Sequence, residues 1–341
     1  MTARQLVFLG VGAFLCLSAC NSVPESTGAG PPRFVYISPD PLGINPFLIM
    51  GQTGIEQAAA QHGAEARVLE SEDPTTREEN FRAAVDEGAS LVVVIGFEFE
   101  DVITELAPRN PDVQFLIVDQ CIQAPPPNVT CAVFREFDAA FIIGAIAAEL
   151  SASGHIGVVG TADIPFLHRY TDAYQAGAHH VKPDLEVSIR WVGGENPFAD
   201  PVRAKEQALD LAARGADHIF AASAAGNLGI FQAAEEQGFF AFGLDVDQCP
   251  NAPGHIVDNL IKRVDHVIVQ AIEAIQRGDS GHTLVFGLDT GELTLEALQD
   301  EPPADSQCTI GQHPEVIQKA RELSRQLIAG EIGIQDPMGL F

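Results

Sequence analysis

Basic side chains are scarce in this chain: 19 Lys and Arg stand against 47 Asp and Glu, a formal charge of −28 over 341 residues. A polyanion is bound by clustered Lys and Arg that displace its counterions. No such cluster exists, so nucleic acid is excluded as a partner. Long apolar runs are also lacking. The longest, "LVFLGVGAFLCL" after Arg4, falls short of the about 20 residues a membrane-crossing helix needs. There is no glycine-rich phosphate loop with its lysine and no G-x-S-x-G elbow. Cys-x-x-Cys or Cys/His spacing for zinc is missing, and "GLDVDQ" is not followed by calcium-loop spacing. His179 and His180 are neighbours on a helical stretch, where adjacent side chains point apart. No metal and no cofactor is therefore expected, and an enzyme is disfavoured. A nucleosidase, the rival in that class, would need a carboxylate cluster or an activated base.

The N-terminus carries an address. A charged start, a short apolar core and the small-residue site "LSAC" ending at Cys20 read as an export signal over residues 1–19. "LSAC" resembles the lipobox of bacterial lipoproteins, which implies that Cys20 becomes the lipidated (palmitate-bearing) first residue. "NSVPESTGAGPP" is small, polar and rich in Pro and Gly, so residues 20–32 read as a flexible tether. The rest of the chain holds four cysteines, Cys121, Cys131, Cys249 and Cys308. An even number in an exported protein favours disulfides, with free buried thiols as the alternative. Cys121 and Cys131 bracket a proline-rich loop and form a natural pair. Closing so short a loop contributes roughly 2–3 kcal/mol on the chain-entropy model. Cys249–Cys308 then follows by elimination.

From Arg33 the sequence alternates between strand and helix signals. "RFVYIS", "ARVLES", "SLVVVIG" and "VQFLIVD" read as strands separated by stretches with helical apolar spacing. A second series starts at His155 with "HIGVVG", "LEVSIRWVG", "DHIFAAS" and "FFAFGLD". This βα rhythm belongs to parallel, doubly wound sheets. The fold class expected is α/β with two Rossmann-like lobes. The first lobe takes 33–135 plus about 250–280, the second 136–249 plus about 281–341. The C-terminal stretch crosses back to complete both lobes. Ligands of such sheets sit in the crevice outside the strand C-termini.

Two loops after strands repeat the tripeptide Asn-Pro-Phe, at Asn45 and at Asn196. Proline suits a turn, but a loop rarely buries a phenylalanine. One phenylalanine on each jaw of an interlobe cleft accounts for both.

"FREFDAAFIIGAIAA", "GHIGVVGTADIPFLHRYTDAYQAGA", "GADHIFAASAAGNLGIFQAA", "FGLDVDQ" and "IKRVDHVIVQAIEAI", in that order, resemble the basic membrane protein (BMP) family. Its best-understood members are purine-nucleoside-receptor lipoproteins of ABC transporters. The resemblance runs from about Phe34 to Leu295 and implies a type I periplasmic-binding-protein fold that closes on its ligand. It further implies that Phe47 and Phe198 stack on a base, that Asp40, the aspartate after the first strand, binds the ligand, that Asp245 contacts ribose, and that Lys262 joins the site. Ring-on-base stacking is worth on the order of 1–3 kcal/mol per face, and carboxylates accept the hydrogen bonds that sugar hydroxyls donate. Each residue also has an ordinary role. Phe47 could start a helix and pack on its own lobe, Asp40 and Asp245 could cap turns, and Lys262 beside Arg263 could be a solvated charge.

One departure bears on the ligand. The family's asparagine after the first stacking residue, which bonds the base edge, is Leu48 here, and the segment before it is two residues shorter. A base edge left buried and unpaired costs about 1–3 kcal/mol. Either another group supplies that bond or the ligand lacks that polar edge. The expected function is a lipid-anchored, monomeric receptor at the cell envelope that passes a small planar, nucleoside-like solute to an ABC permease. A sugar or other non-nucleoside receptor of the same fold is the alternative.

Overall fold

Continuous apolar runs become the centres of two sheets. The computed structural model describes residues 30–300 and 306–341; the export signal, Cys20 and most of the tether lie outside the described residues. In the first lobe, β1 (Arg33–Ser38) leads through α1 (Pro46–His62) to β2 (Glu65–Glu70). Then α2 (Pro74–Asp86), β3 (Leu91–Ile95), α3 (Glu100–Leu106), β4 (Gln114–Val118) and β5 (Val129–Phe134) follow. The second lobe opens with α4 (Glu136–Leu150), β6 (His155–Gly160), α5 (Pro165–Val181) and β7 (Glu186–Trp191). It continues with α6 (Pro201–Ala213), β8 (His218–Ala222), α7 (Asn227–Gln237), β9 (Phe240–Asp245) and β10 (Ile256–Lys262). The chain returns through α8 (Val264–Gln276) and β11 (Thr283–Phe286), then crosses again to β12 (Leu293–Leu295) and α9 (Pro314–Ile328).

The sheets have the orders β11-β5-β4-β3-β1-β2 and β12-β10-β9-β8-β6-β7. All pairings are parallel except β10 with β12. β3, β5, β6, β8 and β10 are buried at every position, as strands covered on both faces must be. The edge strands β2 and β7 are partly exposed and carry charged residues, which blunts edge-to-edge pairing. In each lobe the order reverses beside the first strand, so the crevice opens at the C-terminal ends of β1 and β3 and of β6 and β8.

This division differs from the expected allotment at two strands. β10 lies in the second sheet and β11 in the first, the reverse of their assignment from sequence. β10 pairs in parallel with β9, which immediately precedes it. Gln248 ties the connecting turn, its Oε1 accepting from the Leu244 N–H at 3.0 Å and its backbone N–H donating to Asn259 Oδ1 at 3.2 Å. Local pairing thus keeps Ile256–Lys262 in the second lobe, and only the helix after it crosses over to pack on α1.

The close crossing of α4 and α5 depends on two glycines. A Cβ on Gly144 would overlap the Tyr174 carbonyl, and one on Gly177 would overlap the Phe141 carbonyl. The backbones therefore touch where neither residue has a side chain. That contact fixes the middle of α4 against the C-terminal half of α5, and the N-terminal part of α5 lines the cleft with Phe166, Leu167 and Tyr170.

Candidate functional site

A cavity opens between the lobes at the strand C-termini, where ligands of such sheets sit. All five residues singled out from sequence, Asp40, Phe47, Phe198, Asp245 and Lys262, line it. Local chemistry explains how the phenylalanines reach it. Asn45 caps α1, its side chain accepting from the Phe47 N–H at 3.1 Å, and Pro46 takes the first helical position. Phe47 is thereby held in the first turn at the crevice. In the other lobe Asp200 caps α6 by accepting from the Arg203 N–H at 2.9 Å. Phe198 sits two residues earlier, and its carbonyl accepts from the Ala225 N–H at 3.1 Å. The Phe198 ring meets Phe97 of the first lobe at 6.1 Å between centroids, and Phe97 meets Phe166 at 6.2 Å. The rings form a wall that passes from one lobe to the other and back.

Lys262, the last residue of β10, is 1 % exposed. Its Nζ donates to Asp119 Oδ1 at 2.5 Å, Tyr170 OH at 3.0 Å and Glu136 Oε1 at 3.3 Å. It also lies 4.8 Å from the Phe134 ring centroid and 5.2 Å from that of Phe47, within cation–π range. Burial alone would lower its pKa, but Asp119, Tyr170, Glu136 and Asp245 outweigh this and hold it above its ordinary value. Burial raises the Glu136 carboxyl, against the pull of Lys262. Behind it, fully buried Arg169 reaches Glu136 at 3.3 Å and forms paired bonds to Asp336 at 2.8 and 3.0 Å. Lys262 is not a solvated charge. Its amine is spent on a buried network that joins Asp119 of the first lobe to the second.

Asp119 and Asp245 occupy the same place in the two lobes, just past β4 and at the end of β9. Both have φ of +72°, a left-handed conformation that Asp tolerates better than most residues. Burial pushes Asp245 up to about 7 despite Lys262, and no hydrogen bond from the described residues offsets that burial. Asp40 stands on a loop held by Arg77, whose Nε donates to Pro39 O at 2.9 Å and whose Nη2 lies 3.5 Å from Asp40 Oδ1.

Glu98, Asp119, Thr161, Phe97, Phe166 and Tyr170 also line the cavity, and sequence reasoning missed them. Asp119 ends "VQFLIVD" as Asp245 ends "FFAFGLD", and laying the two series side by side would have found it. Glu98 and Thr161 follow β3 and β6, where the crevice rule alone points to them. The Thr161 hydroxyl is buried without a hydrogen-bond partner among the described residues. Leu48 puts an apolar side chain on the same wall, and its carbonyl accepts from Tyr36 OH at 3.3 Å.

The sulfurs of Cys121 and Cys131, and those of Cys249 and Cys308, lie at bonding distance, with Cα separations of 5.3 and 5.0 Å. Asp247 gathers with Cys249 and Cys308, whose two sulfurs face each other. Among the described residues no helix is long and apolar enough to cross a membrane.

A family model described as Bmp, ABC transporter substrate-binding protein PnrA-like, matches residues 33–327. The chain belongs to this family. A relative named Basic membrane protein A1, from Borrelia garinii subsp. bavariensis, is 29 % identical over 60 % of this chain and 62 % of its own length. The ABC transporter nucleoside-binding protein BmpA of Lactococcus lactis is 30 % identical over 50 % of this chain and 49 % of its own. The match thus spans about half to two-thirds of these relatives' length. A solute-binding protein of an ABC transporter system from Aeropyrum pernix K1 superposes with a TM-score of 0.80 at 23 % identity. It covers 91 % of this chain and 95 % of that one, and the shared architecture is the type I periplasmic-binding-protein fold. Neither the family nor this neighbour is described as an enzyme.

Proposed function

We propose that this protein is the solute receptor of an ABC importer and that it holds a small planar solute, a nucleoside or close relative, between its lobes. The observation that carries the reading is the cavity itself. Phe47 and Phe198 enter it from opposite lobes, beside buried carboxylates that accept hydrogen bonds. A ring clamped between the two phenylalanines gains face contact on both sides. Asp245, with Asp119 opposite, accepts from the hydroxyls of the attached sugar. Lys262 holds Asp119 in place, and Asp40 closes the first loop. With Asp40, Glu98, Asp119 and Asp245 in the wall and Lys262 already neutralised, the cavity repels anions and favours donor-rich neutral ligands. The nucleoside-binding relative from Lactococcus lactis supports the same class. Cys20 carries the lipid anchor outside the cytoplasm, the monomeric body hands its solute to a membrane permease, and two disulfides, Cys121–Cys131 and Cys249–Cys308, brace it.

Mass spectrometry of whatever co-purifies with the protein, followed by calorimetry on nucleosides and free sugars, tests the reading. A bound nucleoside is the expected result. Affinity for free sugars alone would replace the nucleoside by the sugar alternative, and turnover of the nucleoside would replace the receptor by an enzyme.

A further inference from the structure

The cavity has two charged poles. At one, Lys262 gathers Asp119, Glu136 and Asp245. At the other, Arg77 of α2 holds Asp40, and the cation acting on Glu98 is Arg77 as well. Glu98 follows β3 in the turn Phe97–Phe99. Its Oε2 folds back into the space that a side chain on Gly96 would fill. Among the described residues its own backbone N–H is its one hydrogen-bond donor, while burial pushes its carboxyl up to about 7 and Asp40 and Asp119 repel it. Among the described residues it has no ion pair. The neighbouring Phe97 ring touches Phe198, one of the two proposed stacking rings, so Glu98 stands at the ring end of the cavity.

Other groups at this end are held in part by the protein. Asn45 Oδ1 caps α1, Asp40 faces Arg77, and Leu48 is apolar. We propose that Glu98 reads the edge of the bound ring and that this edge presents adjacent N–H donors, as the lactam and amine of a guanine ring do. Once deprotonated, as it is above about pH 7 where the test is run, the carboxylate only accepts hydrogen bonds, and two parallel N–H groups suit it best. An edge that offers a ring-nitrogen acceptor, as adenine does, would set lone pair against lone pair. A buried acceptor left unpaired discriminates strongly between such analogues. Glu98 would thus replace the amide that Leu48 cannot supply. This inference rests on the planar-ring reading above.

Calorimetry on the full-length protein, freed of co-purified ligand, tests it with guanosine, adenosine and 1-methylguanosine, in which the ring N–H is blocked. Guanosine is expected to bind at least about tenfold tighter than either analogue, the scale of one lost hydrogen bond. Glu98→Gln should weaken guanosine by about tenfold or more and narrow its lead over adenosine. Should that variant fail to fold, the analogue series on the unchanged protein still decides. Equal affinity for guanosine and 1-methylguanosine, or an unchanged guanosine-to-adenosine ratio in Glu98→Gln, overturns the role of Glu98 alone. Binding of no nucleoside at all overturns both this role and the planar-ring reading.

Discussion

Single residues set the affinity of the cleft, and the two phenylalanines test this most directly. If Phe47 and Phe198 clamp one ring, each change to alanine should cost about 1–3 kcal/mol of binding, roughly tenfold to more than a hundredfold in Kd. Both rings share one ligand, so the double variant should lose less than the sum. Titration calorimetry reads all three, and two variants that bind the natural ligand as the unchanged protein does would sink the clamp. Asp245 supplies a second test at this scale. Its folded pKa of about 7 lies above the ordinary aspartate value because burial penalises the charge. The folded state therefore binds the proton more tightly than the unfolded chain, and this residue's contribution to stability is complete near pH 4 and lost as pH rises through 7. Asparagine tolerates the same positive φ. Without ligand, Asp245→Asn should melt higher than the unchanged protein at pH 8, and the gap should close towards pH 4. If Asp245 accepts from sugar hydroxyls, the same variant should bind ligand more weakly at pH 8. A melting gap independent of pH would contradict the burial argument.

Elements carry those residues to the cleft, and here the sequence was only partly legible. The runs at Leu91–Ile95 and His155–Gly160 announced themselves because strands buried on both faces are apolar throughout. Periodicity does not say to which sheet a strand returns. The lobes of β10 and β11 are set instead by their pairing with β9 and β5, opposite to the expected allotment. Asp119 escaped notice for a related reason. What marks it is a positive φ and a bond to Lys262 across 143 positions, neither of which is a local pattern. Sequence places Lys262 in the site but leaves a solvated charge beside Arg263 open, because the convergence of three polar partners on one amine is not a local pattern. The crossing of α4 and α5 is an element-scale feature with a sharp consequence. Gly144→Ala has no room for its Cβ, so the helices must separate. A loss of roughly 1–3 kcal/mol or more is expected in thermal or denaturant unfolding, the usual cost of overpacking. Because α4 brings Glu136 and α5 brings Tyr170 to Lys262, ligand affinity should fall as well. An alanine variant with unchanged melting and binding would show that the helices do not cross this closely.

At the scale of the whole molecule, the proposed anchor and the cavity lie in separate parts of the chain. Every residue lining the cavity lies between Pro39 and Lys262, and the family match begins at residue 33. The proposed anchor, Cys20, precedes both and is joined to the body by a stretch of small, polar, proline- and glycine-rich residues. A tether of that composition transmits little conformational constraint, so its far end should not influence the cleft. A single acyl chain binds membranes only marginally, whereas two or more give stable anchoring. A lipid-modified cysteine bearing several chains would therefore decide whether the receptor stays near its permease. Cys20→Ala should abolish incorporation of labelled fatty acid and release the protein from the membrane fraction. Its Kd for the solute should match that of the anchored form, while uptake by cells should fall because the receptor diffuses away from the transporter. Undiminished membrane association of Cys20→Ala would remove the anchor. A changed Kd would mean that the N-terminal segment reaches the cleft after all.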